Sequence, residues 1–464
     1  MMSEQNNNQP QSKFQEILHE ITDPFLSLFK TSRALLGINI SYLLEGFAYF
    51  GMLGLMAMYF NEYVGLNDIQ ADQMVGVLTA GITLAMLILG ATVDLIGVRR
   101  SLFYALGFML VGRVFMSGAP AFGGGEGMWS ATHLLAMFGI FWLILGNGIY
   151  QPAAYTAVKR FTTKETSAMG YAMLYALMNL GGFLPGLISP PVRRAFGISG
   201  VYWMYVLVTV LGLAVITFII TKKAVRDAEQ ESGYQEDKEE KEEKKPLKEQ
   251  VIHYIKHFPI TDSRFMFFIF ILIPVQTLFA HNWLTIPQYC ERAFTGIVQN
   301  HFEIFVNFNP LLIFILTPIV AAYTAKNDTY KMMIIGTVVM GMSPFILTAG
   351  PSIYTLFAFL IVMTLGEAMW QPRFLQWVAE IAPKNMTGIY MGLGQFPWFL
   401  TKVVTALYAG WFLMEYCPDD TPIPSLNTEE MWLIYGGIAM ISPIGLILAR
   451  GWMKKGFKDK AEEQ

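Results

Sequence analysis

The sequence predicts an all-α membrane protein: twelve transmembrane helices in two six-helix bundles, with both chain ends in the cytoplasm. Three observations lead there. Of 464 residues, 54% are hydrophobic and 14% charged, against roughly 25% charged in an ordinary soluble domain. Twelve apolar runs reach the ~20 residues that a helix needs to cross a bilayer. They are continuous rather than alternating, which excludes a closed barrel, the other structure that pairs every backbone amide in lipid. Finally, one polar break divides the runs into two equal sets, and Lys and Arg crowd onto one side.

Residues 1–35 form a polar cytoplasmic segment in which Phe14, Ile17, Leu18 and Ile21 keep helical spacing. That stretch lies on the membrane surface or packs as a short helix on the bundle. The opening MMSEQNNNQPQSK lacks the short apolar core of a cleavable signal peptide. The first bundle, 36–221, holds runs near 36–60, 73–96, 101–118, 131–155, 166–190 and 199–221. A charged linker, 222–263, follows. Its KKAVRDAEQESGYQEDKEEKEEKKPLKE nearly balances its charges and offers almost nothing to bury. The second bundle, 264–450, holds runs near 265–289, 302–324, 331–349, 352–376, 386–413 and 431–450, and a cytoplasmic tail, 451–464, ends the chain. Two six-span halves on one chain are the plan of a transporter that rocks around a site near mid-membrane.

The net charge of −3 by itself says nothing about nucleic acid or acidic partners, and none is expected; the placement of cations is more informative. Of 32 Lys and Arg, only Arg193, Arg194 and Arg292 fall in outer connections, and only Arg113, Arg373 and Lys402 fall within spans. The rest lie in the tails and the even-numbered connections, which under the positive-inside rule are cytoplasmic. Cys290 and Cys417 fall on the outer side, as two apolar cysteines or, alternatively, a disulfide.

Inside the spans, polar residues recur on one helix face at spacings of three and four. Span 1 carries Tyr42, Glu45, Tyr49 and Met52; span 4 Asn147, Tyr150 and Gln151; span 5 Tyr171, Tyr175 and Asn179. Span 7 adds Gln276, His281, Asn282 and Trp283; span 10 Glu367, Trp370 and Gln371; span 11 Gln395, Trp398 and Lys402. Ordinary helix packing and substrate contact both account for such stripes. An acid within a span costs several kcal/mol unless it faces protein or water, so Glu45 and Glu367 are candidate functional groups. Glu45 is nine residues into span 1, or about 14 Å, and Glu367 falls at a comparable depth. Both are expected to face one cavity.

Several stretches carry a family pattern. GATVDLIGVRRS, with Gly90, Asp94, Gly97, Arg99 and Arg100, resembles the G-x-x-x-D-x-x-G-x-R loop of the major facilitator superfamily, which latches helices on the cytoplasmic side. GNGIYQP, GYAMLYALMNLGGFLP, NPLLIFILTP and LGEAMWQPRFLQWVAEIAPKNMTGIYMG are similar, in order, to motifs of the proton-coupled oligopeptide transporter family within it. EGFAYFGM resembles the end of that family's E-x-x-E-R-F-x-Y-Y-G-M, with Glu45 as the second glutamate. Tyr42 stands where the first acid would be, Gly46 where the arginine, Leu53 where a base often follows, and Gln151 where span 4 usually has lysine. Those are the positions that handle protons and a peptide carboxylate in the family.

The resemblance implies helices 1, 4, 7 and 10 around a central path, flanked by 2, 5, 8 and 11, where the polar stripes fall. It implies a secondary active transporter of a small peptide-like or amino-acid-derived solute, coupled to protons, in a bacterial inner membrane. The expected substrate-contact set is Tyr42, Tyr49, Asn147, Tyr150, Gln151, Tyr175, Asn179, Gln276, Trp283, Glu367, Trp370, Gln371, Trp398 and Lys402. Glu45 is expected to carry the proton, with Glu45 otherwise a buried protonated acid bonded to a neighbouring helix. Glu367 is expected to join in coupling and to meet a cationic or hydrogen-bonding part of the substrate, with Lys402 or Arg373 supplying positive charge. Arg373 alternatively snorkels to the interface, and Arg113, on a peripheral helix, is expected in a structural pair. Alternatives are a proton-driven exporter of amphipathic compounds and a transporter-like sensor without flux. The six histidines are scattered without ligand spacing, so no metal, cofactor or enzyme chemistry is expected. The partners are the substrate, protons and the lipid bilayer, with the chain acting as a monomer.

Overall fold

The computed structural model describes residues 31–89, 92–163, 166–233, 262–324, 327–381, 394 and 396–462. The described parts of the expected runs fall on helices, and no strand occurs among the described residues. In the first half these are α1 (Arg33–Gly54), α2 (Met56–Val64), α3 (Asp68–Leu89), α4 (Thr92–Ile96), α5 (Val98–Phe122), α6 (Ala131–Phe161), α7 (Ser167–Phe218) and α8 (Lys222–Glu231). The second half contains α9 (Ser263–Leu284), α10 (Ile286–Ala293), α11 (Ile297–Asn300), α12 (Phe302–Val306), α13 (Phe308–Thr324), α14 (Thr329–Met342), α15 (Pro344–Leu347), α16 (Ile353–Ile381), α17 (Phe396–Tyr416) and α18 (Thr428–Glu462). Among the described residues, eight helices are long and apolar enough to cross a membrane.

Short polar side chains start the helices by accepting from otherwise orphaned amides. Ser32 accepts from Leu35 N at 3.3 Å, Ser130 from His133 N at 3.1 Å, and Asp328 from Lys331 N at 2.8 Å. Asp262 takes both Arg264 N and Phe265 N. Two of the expected runs, near 166–190 and 199–221, join in α7, which turns at Gly197 with φ 69°. A side chain there would be strained and would sit about 2.5 Å from the Tyr63 hydroxyl. Gly112 on α5 and Gly139 on α6 bring two backbones together, since a Cβ on either would meet the other's carbonyl oxygen at 2.7 Å. The linker expected from residue 222 instead begins as α8, because Thr221 caps it and Ala224 and Ala228 are small enough to pack on the first half.

Large apolar side chains such as Leu207, Leu407 and Leu448 are exposed on the outer helix faces, where hydrocarbon rather than water covers them at no cost. One face of the molecule is marked by the start of α1 and the ends of α6 and α7. There Arg33 donates to Phe218 O, Arg99 to Ile220 O and Ser232 to Arg160 O. On the opposite face the two halves are joined by ion pairs. Arg193 of α7 meets Glu303 of α12 at 2.5 Å, and Arg292 of α10 grips Asp68 of α3 at 2.6 and 2.8 Å. Arg193 also donates to Asn300 O and lies over the Phe302 ring. Helices α3 and α17 pack across the same seam, where Gly410 abuts Asp68 and Ile69.

Candidate functional site

A cavity of about 210 Å³ lies between the halves. From the first half it receives Tyr42 of α1, Gln151 and Tyr155 of α6, and Tyr175, Met178 and Asn179 of α7. The second half contributes Asn282 and Trp283 of α9, Asn307 and Asn309 around the start of α13, and Glu367 and Gln371 of α16. Tyr42 and Glu367 are buried, whereas Tyr155 and Tyr175 are 45% and 50% exposed. These two tyrosines stand toward the end of α6 and the start of α7. The chamber's exposed side is thus the one carrying the start of α1, and the cross-half ion pairs lie on the opposite side.

Glu367 is the one acid among the described residues of this wall. Its Oε2 accepts from Asn309 Nδ2 at 2.9 Å, and the same amide donates to Thr364 Oγ1 at 3.0 Å. Thr364 is in turn tied to Leu360 O at 2.6 Å. That chain fixes the carboxylate's rotamer from behind, and among the described residues Oε1 accepts no hydrogen bond. No Lys, Arg or His is among the described lining residues.

The shared-cavity expectation for Glu45 is corrected. Its carboxylate points into the first half, accepting from Arg113 Nη2 at 2.6 Å and Nη1 at 2.8 Å, with the two side chains 3% and 1% exposed. Thr209 Oγ1 of α7 accepts from the same guanidinium at 2.5 Å. The geometry is bidentate and desolvated, so two charges that would each be costly alone neutralise one another. Arg113 takes the structural pairing expected of it, and its partner is the residue expected to face substrate.

Of the remaining expected contacts, Tyr42, Gln151, Tyr175, Asn179, Trp283 and Gln371 do reach the cavity. Tyr150 does not: it stacks on Tyr42 with ring centres 5.9 Å apart and shares a hydrogen bond with Ser41 at 2.7 Å, so it supports the wall from behind. Asn147 turns back to Leu143 O at 3.1 Å, Gln276 accepts from Thr401 at 3.0 Å, and Trp370 donates to Met340 Sδ. Tyr49 packs partly buried against the core and the Phe50 ring, and Trp398 against Phe279. Lys402 donates to Thr83 of α3 at 3.1 Å and Arg373 to Thr324 O at 2.8 Å, so both cations are committed away from the cavity. Each of these is lost from the lining because a helix face is wider than a cavity edge, and neighbouring helices cover its flanks.

In the sequence-predicted gate motif, Gly97 adopts φ 81° between α4 and α5. Arg99 ties α5 to the end of α7 at 2.7 Å, while Arg100 is exposed. Gly90 and the side chain of Asp94 lie outside the described residues, as does Gln395. His281 is buried with Nδ1 on Thr285 and Nε2 on Tyr408, and it stacks on Tyr435. Cys290 and Cys417 are both free thiols.

The sequence reading missed Asn307, Asn309 and Asp72. Asn309 had a visible signal, the NPLLIFILTP stretch. Asp72 sits at the edge of an outer connection by sequence, yet it is fully buried in α3 at the seam, and neither carboxylate oxygen has a hydrogen-bond partner.

A family model described as Major Facilitator Superfamily matches residues 38–406. The chain is 23% identical to a dipeptide and tripeptide permease A of Erwinia pyrifoliae, across 83% of this chain and 86% of that one. Identity is also 23% to a dipeptide and tripeptide permease B of Salmonella typhimurium, covering 87% and 90%. Among solved structures, a peptide transporter POT in complex with sulfate superposes with TM-score 0.69 at 15% identity, covering 92% and 96%. A POT family transporter in complex with 5-aminolevulinic acid gives 0.67 at 14%, covering 91% and 97%.

Proposed function

The chain belongs to the Major Facilitator Superfamily, and from that premise we propose that it is a secondary active transporter of small peptide-like solutes, working by alternating access and driven by protons. The observation that carries this reading is a polar chamber between two helical halves that is sealed on one face and open on the other. The permease relatives point to peptide-like solutes and, being bacterial, to an inner membrane. Twelve crossings with both ends cytoplasmic make the open face the inner one, where the cations concentrate.

The reading moves proton carriage from Glu45 to Asp72. Glu45 is neutralised by Arg113 in either state of the gate, because both belong to one half. Asp72 instead changes surroundings when the halves part. With the seam closed it is buried and without a hydrogen bond in the helix that packs on α17, with Tyr435 of α18 near it, and an ion there costs several kcal/mol, so it holds a proton. Once the seam opens, water can solvate the carboxylate and the proton exchanges with the outer side. The ionisable groups around it are Asp68 on its own helix, Arg292 of α10 and Tyr435 of α18, with His133 of α6 touching Met74 nearby.

Uptake of a labelled peptide probe into proteoliposomes under an imposed pH gradient tests the function. Accumulation above equilibrium is expected, and its absence for every peptide and amino-acid derivative tried would remove the proposal. Asp72→Asn should abolish gradient-driven accumulation while leaving equilibrium counterflow within about threefold. Loss of both together would mean that Asp72 serves the fold instead.

A further inference from the structure

Resting on the transporter reading, we infer that the chamber selects solutes that carry a protonated amine and no free carboxylate: amides or esters of amino acids and short peptides rather than the zwitterions themselves.

Charge in the lining is one-sided. Glu367 lines the cavity with Asn309 bonded to its Oε2 at 2.9 Å, and among the described residues its Oε1 accepts no hydrogen bond. An ammonium supplies the donors that this oxygen lacks, and a charge-assisted bond to a carboxylate buried to 4% exposure is stronger than a neutral one. Among the described lining residues a ligand carboxylate has no cationic counterpart. The three cations within the membrane helices are held elsewhere: Arg113 by Glu45, Arg373 at the Thr324 carbonyl and Lys402 at Thr83. A zwitterion would bring an unpaired anion into a chamber already holding Glu367, and both desolvation and like-charge repulsion oppose that.

The rest of the wall fits a neutral far end. Carboxamides enter from both halves, Gln151 and Asn179 facing Asn282 and Gln371. A carboxamide both donates and accepts, so it can satisfy a ligand amide or ester without any net charge. Tyr42 and Trp283 add apolar surface with a polar edge.

The test uses the purified full-length protein and four probes built on one side-chain pair: phenylalanyl-alaninamide, phenylalanyl-alanine, and the N-acetyl form of each. Thermal shift and equilibrium binding are read separately from flux, so a failure of selectivity is distinguishable from a failure of transport. The free-amine amide should bind at least about tenfold more tightly than the zwitterion, and blocking its amine should remove that advantage. Glu367→Gln should erase the preference for the amine. Gln151→Lys, which places a cation across the chamber from Glu367, should raise affinity for the zwitterion and lower it for the amide. The inference is overturned if the zwitterion binds as well as the amide, if blocking the amine is without effect, or if none of the four binds. Zwitterion uptake with equal affinity would leave the transporter reading standing while removing this one.

Discussion

Glu45 and Glu367 are the same residue type, buried to within one per cent of each other at 3% and 4% exposure, and sequence pattern assigns them matching roles. Their surroundings differ. Glu45 meets a guanidinium on both oxygens and a threonine-braced network within one half, whereas Glu367 has one amide donor and one oxygen left over. A buried acid with a full set of partners is a fastener, and one with a vacancy is available to a ligand. Burial alone cannot separate them; the count of partners does.

The largest expected effect breaks the first side of that comparison. Arg113→Ala strands a buried carboxylate, and Glu45→Ala strands a buried guanidinium. Either should cost about 3–5 kcal/mol of stability, read as loss of the folded, monodisperse protein in detergent or a large fall in Tm. The double variant with an apolar pair of similar volume should recover much of it. If either single variant is as stable as the parent while binding is lost, Glu45 belongs to the site after all.

On the other side, Glu367→Gln keeps the shape and removes only the charge. Stability should stay within about 1 kcal/mol, since the Asn309 contact survives. Binding of an amine-bearing probe should fall about tenfold or more, as expected for losing a charge-assisted contact. A drop in Tm comparable to the Arg113 variants would make Glu367 a second fastener.

A smaller effect lies at the closed face, where Glu291 of α10 sits beside Arg292. Burial, with Glu62 adding repulsion, pushes the Glu291 carboxyl up to about 7. Because the folded value is raised, its contribution is fully present below the ordinary value near 4.5 and fades as pH rises toward about 7. The sealed face should therefore be tighter in acid, read as slower labelling at pH 5 than at pH 8 of a cysteine introduced at Asn61, which meets Gln288 across the seam, with each rate divided by that of the same cysteine in unfolded protein at the same pH. Glu291→Gln should flatten that profile; an unchanged profile would assign the titration to another group.

The outer arginines show how much the sequence held without disclosing it. Arg193 and Arg292 are exceptions to the charge bias of the connections, and each crosses the seam to a carboxylate of the other half. The exception was legible, but its partner was not, because Glu303 is 110 residues from Arg193 and Asp68 is 224 from Arg292. Asn309 was legible through its motif, whereas Asp72 was hidden by its position at the edge of a polar connection.

Sequence by itself determined the helices, their order and which faces carry polar residues, because helical periodicity and the hydrophobic length of a span are local properties of the chain. Tertiary structure alone decided which polar residue on each face meets the chamber and which acid is already neutralised. Arg113 reaches Glu45 across 68 residues, and a pairing of that kind depends on how helices are rotated against each other, which no single helix's periodicity encodes.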